Sequence, residues 1–307
     1  HNKRKGERIM PLLYLAKVNL NSNIFDVYDK KLKFDDVFDL IYKNIADVTD
    51  YFTQNKDKYI DSYGNPEVFI RKSHYTFQEI MKRENRIITG KLVRTFNKPS
   101  EILDELSHRM VTTYIEESVS IYFYYDVANE MITFCERQSF GYNQFMKAFA
   151  NMLNKSVKMY EFEIFLQKDK DILEEKMKSL RTVQRVRATL IPPNSTEEDL
   201  QELRNELIYM QQCQEANATK VNIEYASENM KMESRVMKDI VTAVSRGYGD
   251  VTATGINNSG RQQTISSSQD AAYTANIQDN IGEDEYNEES HNLILRFLVK
   301  LTRKMFV

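Results

Sequence analysis

The chain has 307 residues with 41% hydrophobic and 11% aromatic side chains, enough apolar material for a packed core, which excludes a disordered or low-complexity protein. Forty-two basic and forty-five acidic residues leave a formal net charge of −3, which excludes a global positive field, so binding to nucleic acid or an anionic membrane needs a local patch. Two cysteines, Cys135 and Cys213, without CxxC spacing or a neighbouring histidine argue against a zinc knuckle and a disulfide framework, and no run reaches the roughly 18 apolar residues of a membrane span.

These features predict a soluble, cytoplasmic protein with no membrane partner. The start HNKRKGERIM lacks the apolar stretch of a secretory signal, and His1 and Asn2 are set aside as expression remnants. Abundant Lys, Asn, Ile and Tyr without Trp points to an AT-rich bacterial or phage genome.

In chain order, IMPLLYLAKVNL reads as a buried strand with Pro11 near its start. In FDDVFDLIYKNIADVTDYF, Val37, Leu40, Ile41, Ile45, Val48 and Phe52 fall at helical spacing, and Asp35 and Asp36 favour the first turn. EVFIRKSH and NRIITGKLVRTF are strand candidates, and Ser100 is a plausible N-cap for a helix carrying Ile102, Leu103, Leu106 and Met110. SVSIYFYYDVANEMITFC reads as a hairpin around DVAN, followed by a helix that aligns Tyr142, Phe145, Met146, Phe149 and Leu153. The end of that helix near Asn154 is the expected boundary between an N-terminal domain, 1–155, and a C-terminal domain, 156–307.

The second half alternates: VKMYEFEIFLQ as strand, KDILEEKMKSL as helix, TVQRVRATLI as strand, then a long helix over PPNSTEEDLQELRNELIYMQQC with a Ser195/Glu198 capping box. TKVNIEYA as strand and MESRVMKDIVTAVSRG as helix follow. The polar stretch 266–289 reads as a mobile linker or long loop, and HNLILRFLVKLTRKMF as a basic amphipathic helix with Leu293, Ile294, Phe297, Leu298 and Leu301 on one stripe. The expected fold class is α+β, with mixed or mainly antiparallel sheets, helices mostly on one side, and two subdomains.

Four of the nine glycines lie in SRGYGDVTATGINNSG. A phosphate loop needs strand, glycine loop, helix, and here a helix comes first and a strand afterwards. Gly247 therefore reads as a helix stop and NNSG as a hairpin turn, with the alternative that Arg246, Tyr248 and Arg261 converge on a phosphate and a base. On the strands of the second half, Glu161 and Glu163 can share one polar face of a C-terminal sheet with Arg185, Arg187, Asn222 and Glu224, as either a metal or polar-ligand site or a ladder of ion pairs. RQSFGYNQFMKAF carries aromatics at helix spacing and reads as core, not as an RNA-recognition strand. Basic residues cluster at Arg71, Lys72, Lys82, Arg83, Arg86, Lys91 and Arg94, interleaved with Tyr75 and Phe77, which is either a nucleic-acid surface or a strand edge guarded by charge.

No catalytic signature is present; Glu67 with Lys72, or Glu161 and Glu163 with Lys168, fit a metal-nuclease pattern only loosely. The pieces LLYLAKVNL, IITGKLVR, YFYYD with MITFC, and RGYGDVTATG resemble uncharacterised bacterial proteins carried on mobile elements and associated with anti-phage defence. That resemblance implies a host–phage setting and brings no catalytic residue. The expected function is non-catalytic binding of DNA or RNA, with no cofactor or metal, through the 71–94 cluster and Arg246 and Arg261. The alternatives are a protein-interaction or homodimer module acting through the C-terminal helix, and a metal-dependent nuclease.

Overall fold

The computed structural model describes residues 10–60, 66–104, 108–194, 207–279 and 281–303. The α+β expectation holds: every described strand pairing is antiparallel, and the strands form two sheets. The first comprises β1 (Leu12–Leu20), β2 (Asp50–Ile60), β3 (Pro66–Arg83), β4 (Ile87–Asp104), β5 (Arg109–Asp126), β6 (Met131–Cys135), β7 (Phe162–Leu166) and β12 (Thr274–Asn276). The second comprises β8 (Leu180–Leu190), β9 (Val221–Ala226), β10 (Gly249–Asn257) and β11 (Gln262–Ser266), in the order β11-β10-β8-β9.

Strand β1 explains how the chain is tied together. On one side it pairs with β6; on the other, its first residues pair with β12 and its last with β7. The expected boundary at 155/156 thus falls between two pieces of one layer, because β7, β12 and the terminal helix all return to the first sheet. Its alternate residues face opposite cores. Ala16, Val18 and Leu20 join the cluster under helices α2 (Phe34–Asn44) and α3 (Tyr142–Ser156), whereas Leu13 and Leu15 pack with helix α8 (Glu283–Arg303). A short helix α1 (Ile24–Tyr28) links β1 to α2 and packs on the second core.

Among the described residues the second sheet is covered on one face only, by α4 (Lys170–Lys178), α5 (Ile208–Glu215) and α6 (Arg235–Ser245). Leu173, Met177, Met210, Met237 and Ile240 meet Val183, Val186, Val251 and Ala253 there. Helix α4 starts where the Asp169 side chain accepts from the backbone N–H groups of Asp171 and Ile172, satisfying two of the orphan donors at a helix start.

Three expectations are corrected. Among the described residues after Ser100 there is no helix: β4 runs on to Asp104, paired residue by residue with β5 as far as Asp104 and Arg109, so cross-strand pairing overrides a helix-like spacing, and Leu106 lies outside the described residues. The helix of residues 34–52 stops at Asn44; Val48 is 91% exposed and Phe52 lies in β2, whose ladder with β3 claims those residues. The described residues of the polar stretch 266–289, all but 280, include helix α7 (Ser267–Asp270), β12 and the first turns of α8. Its polar groups are used internally: the Ser267 and Ser268 hydroxyls donate to Asp250, and Asp270 accepts from the Ser266 N–H. The Ser195/Glu198 capping box lies outside the described residues.

The aromatic face of α3 fills the first core as the spacing predicted. Phe149 makes edge contacts with Phe77 (5.3 Å between centroids), Phe123 (5.0 Å) and Tyr125 (5.8 Å). Phe149→Ala should lower unfolding free energy by about 3–5 kcal/mol in urea titration, the range for deleting a fully buried ring; a loss under about 1 kcal/mol would mean this cluster does not hold the sheet.

Candidate functional site

The turn that joins α6 to β10 carries the glycine-rich segment, and it is a packing device. Gly247 has φ +78°, and a Cβ there would come within 2.8 Å of Lys17 Cβ and 2.9 Å of the Gln167 amide. The turn is thus pressed against β1: the Asn19 amide donates to the Gly247 carbonyl at 3.0 Å, and Lys17 lies over the Tyr248 ring. Lys17 pairs with Glu130 at 3.2 Å, and Asn194 donates to the same carboxylate. Burial works to lower the Lys17 pKa, but the facing Tyr248 hydroxyl and the Glu130 carboxylate more than offset it, so the ammonium is held above its ordinary range.

Arg246, Tyr248 and Arg261 do not converge. Tyr248 is buried, with its hydroxyl donating to the Asn194 carbonyl. Arg246 and Arg261 sit beyond opposite ends of β10, roughly 27 Å apart by strand rise alone. Arg246 lines a cavity of about 900 Å³ between α4, α6 and α8, where six basic side chains, Arg246 among them, face four acidic ones. Arg261 closes the NNSG turn, in which Asn257 accepts from the N–H groups of Ser259 and Arg261.

The exposed face of the second sheet is a ladder of ion pairs. Glu224 accepts from Arg185 (3.2 Å) and Arg187 (2.9 Å), and Thr189 donates to Asn222. Glu163 belongs to the first sheet and pairs with Lys220, while Lys168 is buried against Asp250 and the Gly249 carbonyl. Among the described residues no group of three or more His, Cys, Asp or Glu side chains is arranged to hold a metal ion, and no described helix is long and apolar enough to cross a membrane. The apolar stripe of α8 is turned inward: Leu293, Ile294 and Phe297 are buried against Leu13 and Leu15.

The basic cluster of residues 71–94 divides into separate groups. Arg94 is buried on the face toward α3, donates to Ser73 and Ser139, and lies 3.9 Å from the Phe96 ring centre. Arg86 bridges Asp35 and Asp39 at 2.6 and 2.8 Å, and Lys91 pairs with Glu79 at 2.6 Å. Lys82 donates to the Lys43 carbonyl, with its neighbour Arg83 at the same end of β3. Arg71 and Lys72 are roughly 30 Å from Lys82 along the strand.

Arg71 and Lys72 occupy a structure that periodicity did not reveal. The β3–β4 ladder ends at Ser73 and Phe96, but β2–β3 pairing runs on to Ile60 and Pro66, and β4–β5 pairing to Asp104 and Arg109. The sheet therefore forks into two hairpins. Pro99, three residues past the last β3–β4 pair, has no N–H to offer a neighbour, which suits a strand that has become an edge.

The β2–β3 hairpin has one face built from Phe52, Gln54, Lys56, Ile70, Lys72 and His74, since directly opposed residues share a side. Phe52 is 61% exposed and stacks on His74 at 4.1 Å and 6° between ring planes. His74 is held from behind by Asp50, 3.6 Å away, which Lys155 also engages. Sequence reading missed this pair because Phe52 had been placed on a helix; the alternation of Phe52, Gln54 and Lys56 was the available signal.

A family model matches residues 44–291, so the chain belongs to the family described as Domain of unknown function (DUF4747). A search of curated proteins finds no match to the chain.

Gly247 and Gly260 have nearly the same φ, +78° and +76°, but a Cβ at Gly260 would meet nothing within 4 Å. Gly260→Ala should cost about 1–2 kcal/mol from backbone strain alone, and Gly247→Ala at least about twice that, because the joint must shift as well; equal losses in chemical denaturation would refute the packing role. Burial foremost pushes the Cys135 thiol up to about 12, so native protein at pH 7 should resist iodoacetamide at this position and react once unfolded. Rapid native alkylation, read by mass spectrometry, would contradict that placement.

Proposed function

We propose that this member of the DUF4747 family binds nucleic acid through the projecting β2–β3 hairpin, in the cytoplasm and without catalysis. The observation that carries the reading is the exposed Phe52–His74 stack lying on the same hairpin face as Lys56 and Lys72. Lysines meet phosphates as point charges and aromatic faces take bases, a combination that protein partners do not require. Arg71 lies on the opposite hairpin face, beside Asn55.

Position supports the reading as well. The net charge of the chain is −3, so cations gathered on a protrusion meet a polyanion before the acidic body does. The acidic first turn of α8, Glu283 to Glu285, belongs to that body, with Glu283 acting on Lys91. The anti-phage setting implied by the sequence resemblance is compatible with such a partner and is part of the same proposal.

Gel shifts with single- and double-stranded DNA and RNA at low salt test it. Binding should appear by about 10 µM protein, in the range of non-specific affinities. Lys56→Glu with Lys72→Glu should weaken it by about tenfold or more and flatten its salt dependence, whereas Lys82→Glu, at the other end of β3, should leave it unchanged. Absence of any shift, or equal sensitivity to the Lys82 variant, would remove the hairpin from consideration.

A further inference from the structure

We infer that the nucleic acid taken by this hairpin is single-stranded, with an unpaired base stacked on Phe52. The inference rests on the proposed function and goes further by fixing the class of ligand. A duplex offers phosphates and base edges but hides the faces of its bases. A two-stranded ribbon that reads a major groove does so with hydrogen-bonding side chains at its centre. The face here instead carries Phe52, Ile70 and Val68, all exposed, with Gln54 as its one carboxamide among the described side chains.

The ring is also prepared for stacking. His74 covers one face of Phe52 at 4.1 Å, with Asp50 3.6 Å from the imidazole, so the ring is backed before a ligand arrives and its outer face is open. Same-face side chains repeat every two residues, about 6.7 Å, which is about twice the 3.4 Å rise of stacked bases. A chain lying along the hairpin can therefore place a base on Phe52 while a phosphate about two base rises away reaches Lys72 and one about four rises away reaches Lys56. Asp50 is the only described acid on this hairpin face, and it is occupied by Lys155 and His74.

Fluorescence anisotropy can decide this, using labelled oligothymidylate and oligouridylate of about 12 nucleotides, a common site size, and a dA·dT duplex of equal length. The single strands should bind at least about tenfold tighter than the duplex. Phe52→Ala should weaken single-strand binding by about tenfold and leave duplex binding unchanged, while Phe52→Tyr keeps both. The exposed ring makes folding insensitive to these changes, which matched urea midpoints verify. Equal or tighter duplex binding, or a Phe52→Ala variant that still holds the single strand, overturns this inference and leaves the hairpin reading standing. No binding of either form overturns both.

Discussion

The fold depends on the seating of the α6–β10 turn on strand β1. Lys17 and Asn19 lie on the face of β1 that continues from Leu13 and Leu15, and past the end of α8 that face would be bare polar surface. The turn covers it: Gly247 allows backbone contact, the Asn19 amide binds its carbonyl, and the Lys17–Glu130 pair is shut away from water. A buried ion pair contributes little net stability, because desolvation offsets attraction, but removing one partner leaves an uncompensated charge. Such a joint acts as a register, holding the second sheet at one place on the first.

With β1 fixed between β6 on one side and β7 and β12 on the other, the long strands are free to extend from one end of the sheet. Near the core, β3 to β5 are covered by α3 on one face, and β4 and β5 by α8 on the other; past Ser73 and Phe96 the β3–β4 ladder has ended and the two hairpins pair separately. A free two-stranded hairpin buries little, so its stability comes from the anchored end and its outer residues are available for contact. Large apolar side chains stand exposed on both hairpins, among them Phe52, Ile70, Leu103 and Met110. Exposed apolar surface of this kind marks a place of interaction more often than a feature of folding.

The fate of the cationic residues follows from the same geometry. A strand alternates its side chains, so seven basic residues spread over 71–94 cannot share a surface. Arg94 falls on the covered face and is satisfied by Ser73, Ser139 and the Phe96 ring; Arg86 and Lys91 meet acids brought by α2 and by the bulged part of β3. Lys72 differs because it lies beyond the end of the β3–β4 ladder, away from those elements.

The sequence by itself determined the α+β class, most strands and helices, the β5–β6 hairpin, the inward face of α3, and the helix-stop and turn roles of Gly247 and NNSG. Each is a local property, set by a period of 2.0 or 3.6 or by the backbone freedom of a glycine, and neighbours within a few residues suffice to express it. Tertiary structure alone decided that 100–104 continue a strand, that 266–289 include helix and strand, and that β7, β12 and α8 complete the first sheet. It also decided which cations gain partners and brought Phe52 onto His74. These outcomes depend on register between segments distant in the chain, where pairing and burial outweigh local preference, and no window of the sequence contains both sides of such a contact.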